Sequence, residues 1–373
     1  MKLLRNGWRL AIVLGSLCSC REQAAQSPPS STGATQRRDT SGIDTIRQTA
    51  RAPVDTTKPP RRRAADSAIH LVLSTRLPSR KQNDSISLVA AIRKGLGHPG
   101  WPVRGPAPLP GATLPGHRIV AFYGNPLSPR MGILGELPPD QMLARFDSVL
   151  AEWRAADPRT PVLPALHLIA VVAQETPGRD GLYRLRMDTT LIRKVYSWAQ
   201  PRHAILILDV QAGKSTVQQE LPRLLPWLAK PDVHLALDPE FYMHYNREGK
   251  RPGTRIGTMD AADVNYAIDE LGKLVTQYGL PPKVLIVHRF TQNMLRHASE
   301  VRLDPRVQLV INMDGWGQPW LKFDTYAFSE VAEPVQFTGF KLFFHHDTRK
   351  GDLLLTPREV LALRPRPVYI QYQ

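Results

Sequence analysis

From residue 117 onward, short apolar runs rich in β-branched residues alternate with stretches of helical periodicity. Eight such runs stand out: RIVAFYG (118–124), LPALHLIAVVA (163–173), HAILILDV (203–210), VHLALD (233–238), KVLIVHRF (283–290), VQLVINMD (307–314), GFKLFFHHD (339–347) and PVYIQYQ (367–373). Between them, residues 139–157 and 260–279 read as amphipathic helices, the second with Gly279 as its stop. Strand-like runs alternating with helices predict repeated βα units and a parallel sheet. Eight strands in about 250 residues predict a (β/α)8 or TIM barrel. The alternative is an open doubly wound sheet, which needs no eighth strand and usually opens on a glycine-rich turn. The first turn here is Tyr123-Gly124-Asn125-Pro126, which lacks that pattern.

Ahead of residue 117 the pattern changes. Lys2, Arg5 and Arg9 precede the apolar run Leu10 to Leu17, which is too short to span a bilayer. The run ends in Leu17-Cys18-Ser19-Cys20, which resembles the lipobox of bacterial lipoproteins. The resemblance implies cleavage after residue 19 and lipidation of Cys20, with an ordinary secretory signal as the alternative. Both cysteines lie in this segment, so no internal disulfide is expected in the mature chain. Residues 20–66 are rich in Ser, Thr, Gln, Pro, Arg and Ala and read as a disordered tether, because they have too little apolar surface to offset backbone entropy. Residues 67–116 read as a partly ordered pre-domain segment, with a short strand at 69–75 and a helix at 84–97. Residues 117–373 form the barrel domain. The expected location is the bacterial cell envelope, lipid-anchored on its extracytoplasmic side.

Charge changes the picture less than its total suggests. The net +16 resembles a nucleic-acid binder. However, residues 21–116 carry 15 Lys and Arg against 6 Asp and Glu, and residues 117–373 carry 31 against 27. The barrel is nearly neutral, so no nucleic-acid partner is expected.

Barrel chemistry gathers at the C-terminal ends of the strands. Those ends offer Asp209, Asp238 with Glu240, His288, Asp314, and His345-His346-Asp347. A carboxylate ending an apolar strand is costly to bury alone, although one such residue can simply cap a helix. In VHLALDPEF, alternation puts Val233, Leu235 and Leu237 on the helix side and His234, Ala236, Asp238 and Glu240 on the lumen side. Neighbouring carboxylates push their pKa values apart, leaving one protonated as a general acid. Glycoside hydrolysis uses such a pair.

An Asp-x-Glu ending the fourth strand of a (β/α)8 barrel is similar to that of family 18 chitinases and family 25 lysozymes. The resemblance implies Glu240 as proton donor and Asp238 as its orienting or assisting partner. Asp238, Asp209 or Asp314 would be the second carboxylate or a stabiliser of the oxocarbenium ion. The strand-six stretch Asn312-Met313-Asp314-Gly315-Trp316 loosely resembles the Met-x-x-Asp region of the chitinases. The longer signature DGxDxDxE is absent, since positions 233, 234 and 236 are Val, His and Ala.

Aromatic planes stack on sugar C–H faces. Tyr123, Tyr242, Trp316, Trp320 and Tyr372, together with His288, are the expected substrate-binding residues; Phe241 lies nearby, and packing over the barrel is the alternative role for any of them. Other signals carry less. Gly213-Lys214-Ser215 resembles the end of a P-loop, but Leu208 stands where its first glycine belongs. The histidines at 345 and 346 lack metal-ligand partners in sequence, and the first strand has no His-x-His, so no metal or other cofactor is expected. No Gly-x-Ser-x-Gly elbow is present. His167 and His234 read as satisfied barrel residues. The expected function is hydrolysis of a polysaccharide or other glycan. The alternative is a non-catalytic glycan- or envelope-binding lipoprotein on the same scaffold.

Overall fold

The computed structural model describes residues 105–246 and 251–373. The expected signal with Cys20, the expected tether, and the strand and helix expected at 69–75 and 84–97 lie outside the described residues.

The sheet has nine strands: a short one at Arg184–Arg186 pairs antiparallel with the end of the second, and eight parallel strands form the barrel. These eight are β1 (Arg118–Gly124), β2 (Val162–Ala173), β3 (Ile205–Val210), β4 (Val233–Leu237), β5 (Lys283–Arg289), β6 (Val307–Met313), β7 (Phe337–Leu342) and β8 (Tyr369–Tyr372). Each pairs in parallel with the next, and β8 pairs with β1. Closure removes both sheet edges, so the open doubly wound alternative does not apply. Helix α1 (Pro139–Ala156) follows β1, α2 (Thr189–Ala199) follows β2 and α3 (Ala261–Tyr278) follows β4. Helix α4 (Pro319–Tyr326) follows β6, and α5 (Pro357–Leu361) follows β7. Gly279 ends α3 at φ 60°, a left-handed position that glycine adopts without a steric penalty. The helical ring is incomplete. Between β5 and β6 the chain makes the short turns Gln292–Met294 and Ala298–Glu300 and, between them, a two-residue strand Leu295–Arg296 that pairs with Met259–Asp260, but no longer helix.

Alternation along the strands builds two cores. Val120, Phe122, Leu206, Leu208, Val233, Leu235 and Leu237 face the helices and pack with Phe146, Trp153 and Leu271. Ile119, Ala121, Ala165, Ile207, Ala236, Ile286 and Val310 fill the lumen. Leu114, ahead of β1, closes the lumen floor; its backbone N–H donates to Gln308 Oε1 at 2.9 Å. Above the apolar layer the inward positions turn polar.

Strand β7 departs from expectation. It starts at Phe337 and ends at Leu342, so the run to residue 347 is not strand. The Asp347 carboxylate accepts the backbone N–H groups of Phe343 and Gly317, both at 2.9 Å, and pairs with Lys322 at 3.0 Å. Those bonds fold residues 343–347 into a turn, so the inward residue nearest the mouth is Lys341.

The register can be tested at Gly339, inward-facing two residues before Lys341. A Cβ there would lie 2.6 Å from Asn312 Oδ1 and 2.9 Å from the Tyr369 ring. Gly339→Ala should therefore lower stability by about 1–3 kcal/mol through overpacking, read from urea unfolding. A variant as stable as its parent would contradict this placement of β7.

Candidate active site at the mouth of the barrel

The top layer of the lumen collects side chains from seven strands or strand ends. They are Tyr123 (β1), His167 (β2), Asp209 (β3), Asp238 (beyond β4), His288 (β5), Asp314 (beyond β6) and Lys341 (β7), all buried. Period-two geometry explains the set: each lies two residues beyond an inward-facing partner, as His167 follows Ala165 and Lys341 follows Gly339.

Their contacts form a chain of charge. Lys341 Nζ lies 2.8 Å from Asp314 Oδ1 and 4.1 Å from the centre of the Tyr123 ring. Asp314 Oδ2 lies 2.9 Å from His288 Nδ1. His288 Nε2 lies 3.7 Å from Asp209 Oδ2, and His167 Nε2 lies 3.8 Å from the same oxygen. Burial works against the charged forms throughout. At Asp314 the Lys341 ammonium and His288 outweigh it and hold the carboxyl down to about 2. At Asp209 the two imidazoles likewise outweigh burial and lower its pKa. Burial is also overcome at His288, which Asp209 and Asp314 raise above the ordinary imidazole value. His167 is dominated by burial, which lowers it to about 4 and leaves it neutral.

Asp238 and Glu240 behave oppositely. Burial pushes Asp238 up to about 7, with Asp209 and Asp314 adding to the rise. Burial and the nearby Asp238 and Asp314 push Glu240 up to about 8. Asp238 is pinned: Gln211 Nε2 donates to its Oδ2 at 3.1 Å, and the Glu240 backbone N–H donates to its Oδ1 at 3.0 Å. The Glu240 backbone is fixed too, because its carbonyl accepts the Gly257 N–H at 2.6 Å. The residue as a whole is half-buried, and its carboxyl has no hydrogen-bond partner among the described residues.

The expected aromatics separate into two groups. Trp316 and Trp320 are exposed in the segment after β6, and Trp316 lies 5.8 Å from the His346 ring. Tyr123 lines the site, with its hydroxyl accepting from Gln211 at 3.2 Å. Tyr242 and Tyr372 do not reach the mouth. Both are buried in the helix-side core. The Tyr242 hydroxyl donates to Asp263, and the Tyr372 hydroxyl accepts from Trp153 Nε1 at 2.9 Å. Tyr372 follows the alternation of β8, which points Gln371 inward and Tyr372 out.

Other residues find structural places. His345 is exposed and 2.8 Å from Glu136. Ser215 donates to the buried Glu220, which also pairs with Arg184 and Arg186, and Lys214 lies over the Tyr183 ring. Those contacts give Gly213-Lys214-Ser215 a role in the loop after β3. His234 accepts the Val284 N–H at 3.0 Å deep in the barrel. It borders a cleft of about 420 Å³ on the N-terminal face, the face that serves stability rather than chemistry in such barrels.

His167 and Lys341 are the mouth residues that strand-end inspection misses. Lumen parity would have found both. Comparison of the chain with models of protein families and with curated protein sequences found no match. The fold and site thus define a closed parallel barrel with a carboxylate-rich mouth.

The raised carboxyls set a pH dependence. Unfolded, Asp and Glu ionise near about 4. Folded, Glu240 keeps its proton to about 8. Its contribution is therefore whole at acid pH and is lost as pH rises from about 4 through 8. Wild-type melting temperature should fall between pH 5 and pH 8 by a few degrees more than that of Glu240→Gln, measured by circular dichroism. Parallel slopes would show that Glu240 titrates like an exposed carboxylate.

Proposed function

We propose that this protein hydrolyses a glycosidic bond at the barrel mouth, with Glu240 as general acid. One observation carries the proposal: Glu240, whose carboxyl makes no hydrogen bond among the described residues, is held protonated beside a pinned Asp238, while Asp314 two strands away is held ionised. Titratable neighbours whose environments drive their pKa values apart divide acid and base roles. In this scheme the glycosidic C–O bond breaks and its electron pair leaves with the departing oxygen. Glu240 gives its proton to that oxygen as the oxocarbenium ion develops. Water then adds to the anomeric carbon and returns a proton to Glu240. Trp316 and Trp320 stand exposed for sugar stacking, and no cofactor takes part in these steps. The envelope location belongs to the same proposal. Cys20→Ala should move the protein from the membrane fraction to the soluble fraction, and membrane retention of that variant would contradict a lipid anchor.

A non-catalytic glycan-binding barrel is the second reading. The pairing of Asp314 with both Lys341 and His288 favours it, because a carboxylate so engaged is a poor nucleophile. Kinetics separate the two. General acid catalysis is worth about 10²–10⁴-fold, so Glu240→Gln should lose that much turnover on a natural glycan. It should lose far less on substrates with activated leaving groups. Wild-type protein that binds glycans and cleaves none across a broad panel would establish the binding module.

A further inference from the structure

We propose that His167, Asp209 and His288 form a binding site for one divalent transition ion of the zinc class, inside the barrel and beneath the carboxyl pair. This does not rest on glycoside hydrolysis. The three residues come from β2, β3 and β5, and one ligand atom from each lies within 4.8 Å of the other two. All three side chains are fully buried.

Their inward-facing atoms are otherwise unused. His167 Nε2, His288 Nε2 and both Asp209 oxygens make no hydrogen bond among the described residues. The separations of 3.7 and 3.8 Å from nitrogen to oxygen are too long for hydrogen bonds. They are a few tenths of an ångström wider than the roughly 3.3 Å edge of a tetrahedron with bonds of about 2.0–2.1 Å. The third separation, imidazole to imidazole, is within 4.8 Å, so the two rings must close toward each other to share one ion. The imidazoles are not stacked on each other; their ring centroids lie 5.5 Å apart with the planes tilted by 56°.

The outward nitrogens both have close polar neighbours. His288 Nδ1 lies at ion-pair distance, 2.9 Å, from Asp314 Oδ2, although without hydrogen-bond geometry. His167 Nδ1 lies 2.7 Å from the Tyr369 hydroxyl and accepts from Gln371 Nε2 at 2.9 Å, so the His167 Nε2 becomes a metal donor once that amide turns away and the ring proton moves to Nδ1. A carboxylate or hydroxyl that accepts the Nδ1 proton, as Asp314 and Tyr369 are placed to do, leaves the far nitrogen free for the metal. Lys341, the nearby cation, pairs with Asp314 and leaves Asp209 to the imidazoles. Two imidazoles and one carboxylate suit zinc and its neighbours in the first transition row, whereas calcium and magnesium favour all-oxygen sites.

The test uses the untagged full chain carrying Cys18→Ser and Cys20→Ser, so that thiolates contribute nothing. After chelator treatment and dialysis, Zn²⁺ is titrated by calorimetry and Co²⁺ by visible absorption, with no glycan present. One ion per chain is expected at micromolar concentration. Asp209→Asn and His167→Gln, each checked for folding by circular dichroism, should weaken binding at least tenfold. Asp314→Asn should weaken it by about 10–100-fold by freeing His288 Nδ1. His345→Ala with His346→Ala should leave it unchanged. Absence of stoichiometric Zn²⁺ and Co²⁺ binding by the parent overturns the site. So does binding that persists in folded Asp209→Asn and is lost with His345 and His346. Neither outcome bears on turnover by Glu240.

Discussion

The Lys341 ammonium lies out of water at the top of the lumen, 2.8 Å from Asp314 and against the face of Tyr123. A buried cation is tolerable only when paired, and so is a buried carboxylate. Their pairing fixes Asp314 as an anion. The anion in turn raises His288 and helps to keep protons on Asp238 and Glu240. Four carboxyl groups around one lumen cannot all ionise. Lys341 and His288 lie with Asp314 and Asp209, so the protons remain on the pair beyond β4.

Backbone shape positions that pair. The chain beyond β4 turns at Pro239–Phe241 with the Asp238 side chain capping it. Gly257 lies directly over this turn: a Cβ would come within 2.4 Å of the Pro239 carbonyl and 2.7 Å of the Glu240 carbonyl. Only glycine allows that approach, and the resulting hydrogen bond holds the Glu240 backbone while its carboxyl stays free. On the other side, Gly213 adopts φ 61° and passes its carbonyl to the Met243 N–H at 2.7 Å. The loops after β3 and β4 are thereby tied together around Asp238 and Gln211.

Much of this was legible in the chain. Eight apolar runs gave the strand count, and the lumen phase of β4 followed from Val233, Leu235 and Leu237 alone. The clustering of Asp209, Asp238, His288 and Asp314 followed from their positions at strand ends. What was not legible depended on where strands stop and which way residues beyond them turn. Apolar residues continue from Phe343 to Phe344, so β7 read as too long, and the turn held by Asp347 was invisible. That error shifted attention to His345 and His346 and away from Lys341. Tyr242 and Tyr372 sit near strand ends just as Tyr123 does, but partners distant in sequence, Asp263 and Trp153, draw their hydroxyls into the helix-side core. His167 looked like a core histidine because its neighbours are apolar. Its role depends on Asp209 and His288, which only closure of the barrel brings to it.

The most direct test of this charge distribution is carbon-13 NMR of the Asp and Glu side-chain carboxyls across pH 3 to 9, with Glu240→Gln and Asp314→Asn assigning the signals. The account predicts that the Glu240 carboxyl stays protonated well above the ordinary range and titrates toward about 8. It also predicts that Asp314 remains ionised down to the acid end of the series. A Glu240 signal that titrates between pH 4 and 5, or an Asp314 signal that titrates above it, would contradict the assignment of acid and anion at the mouth.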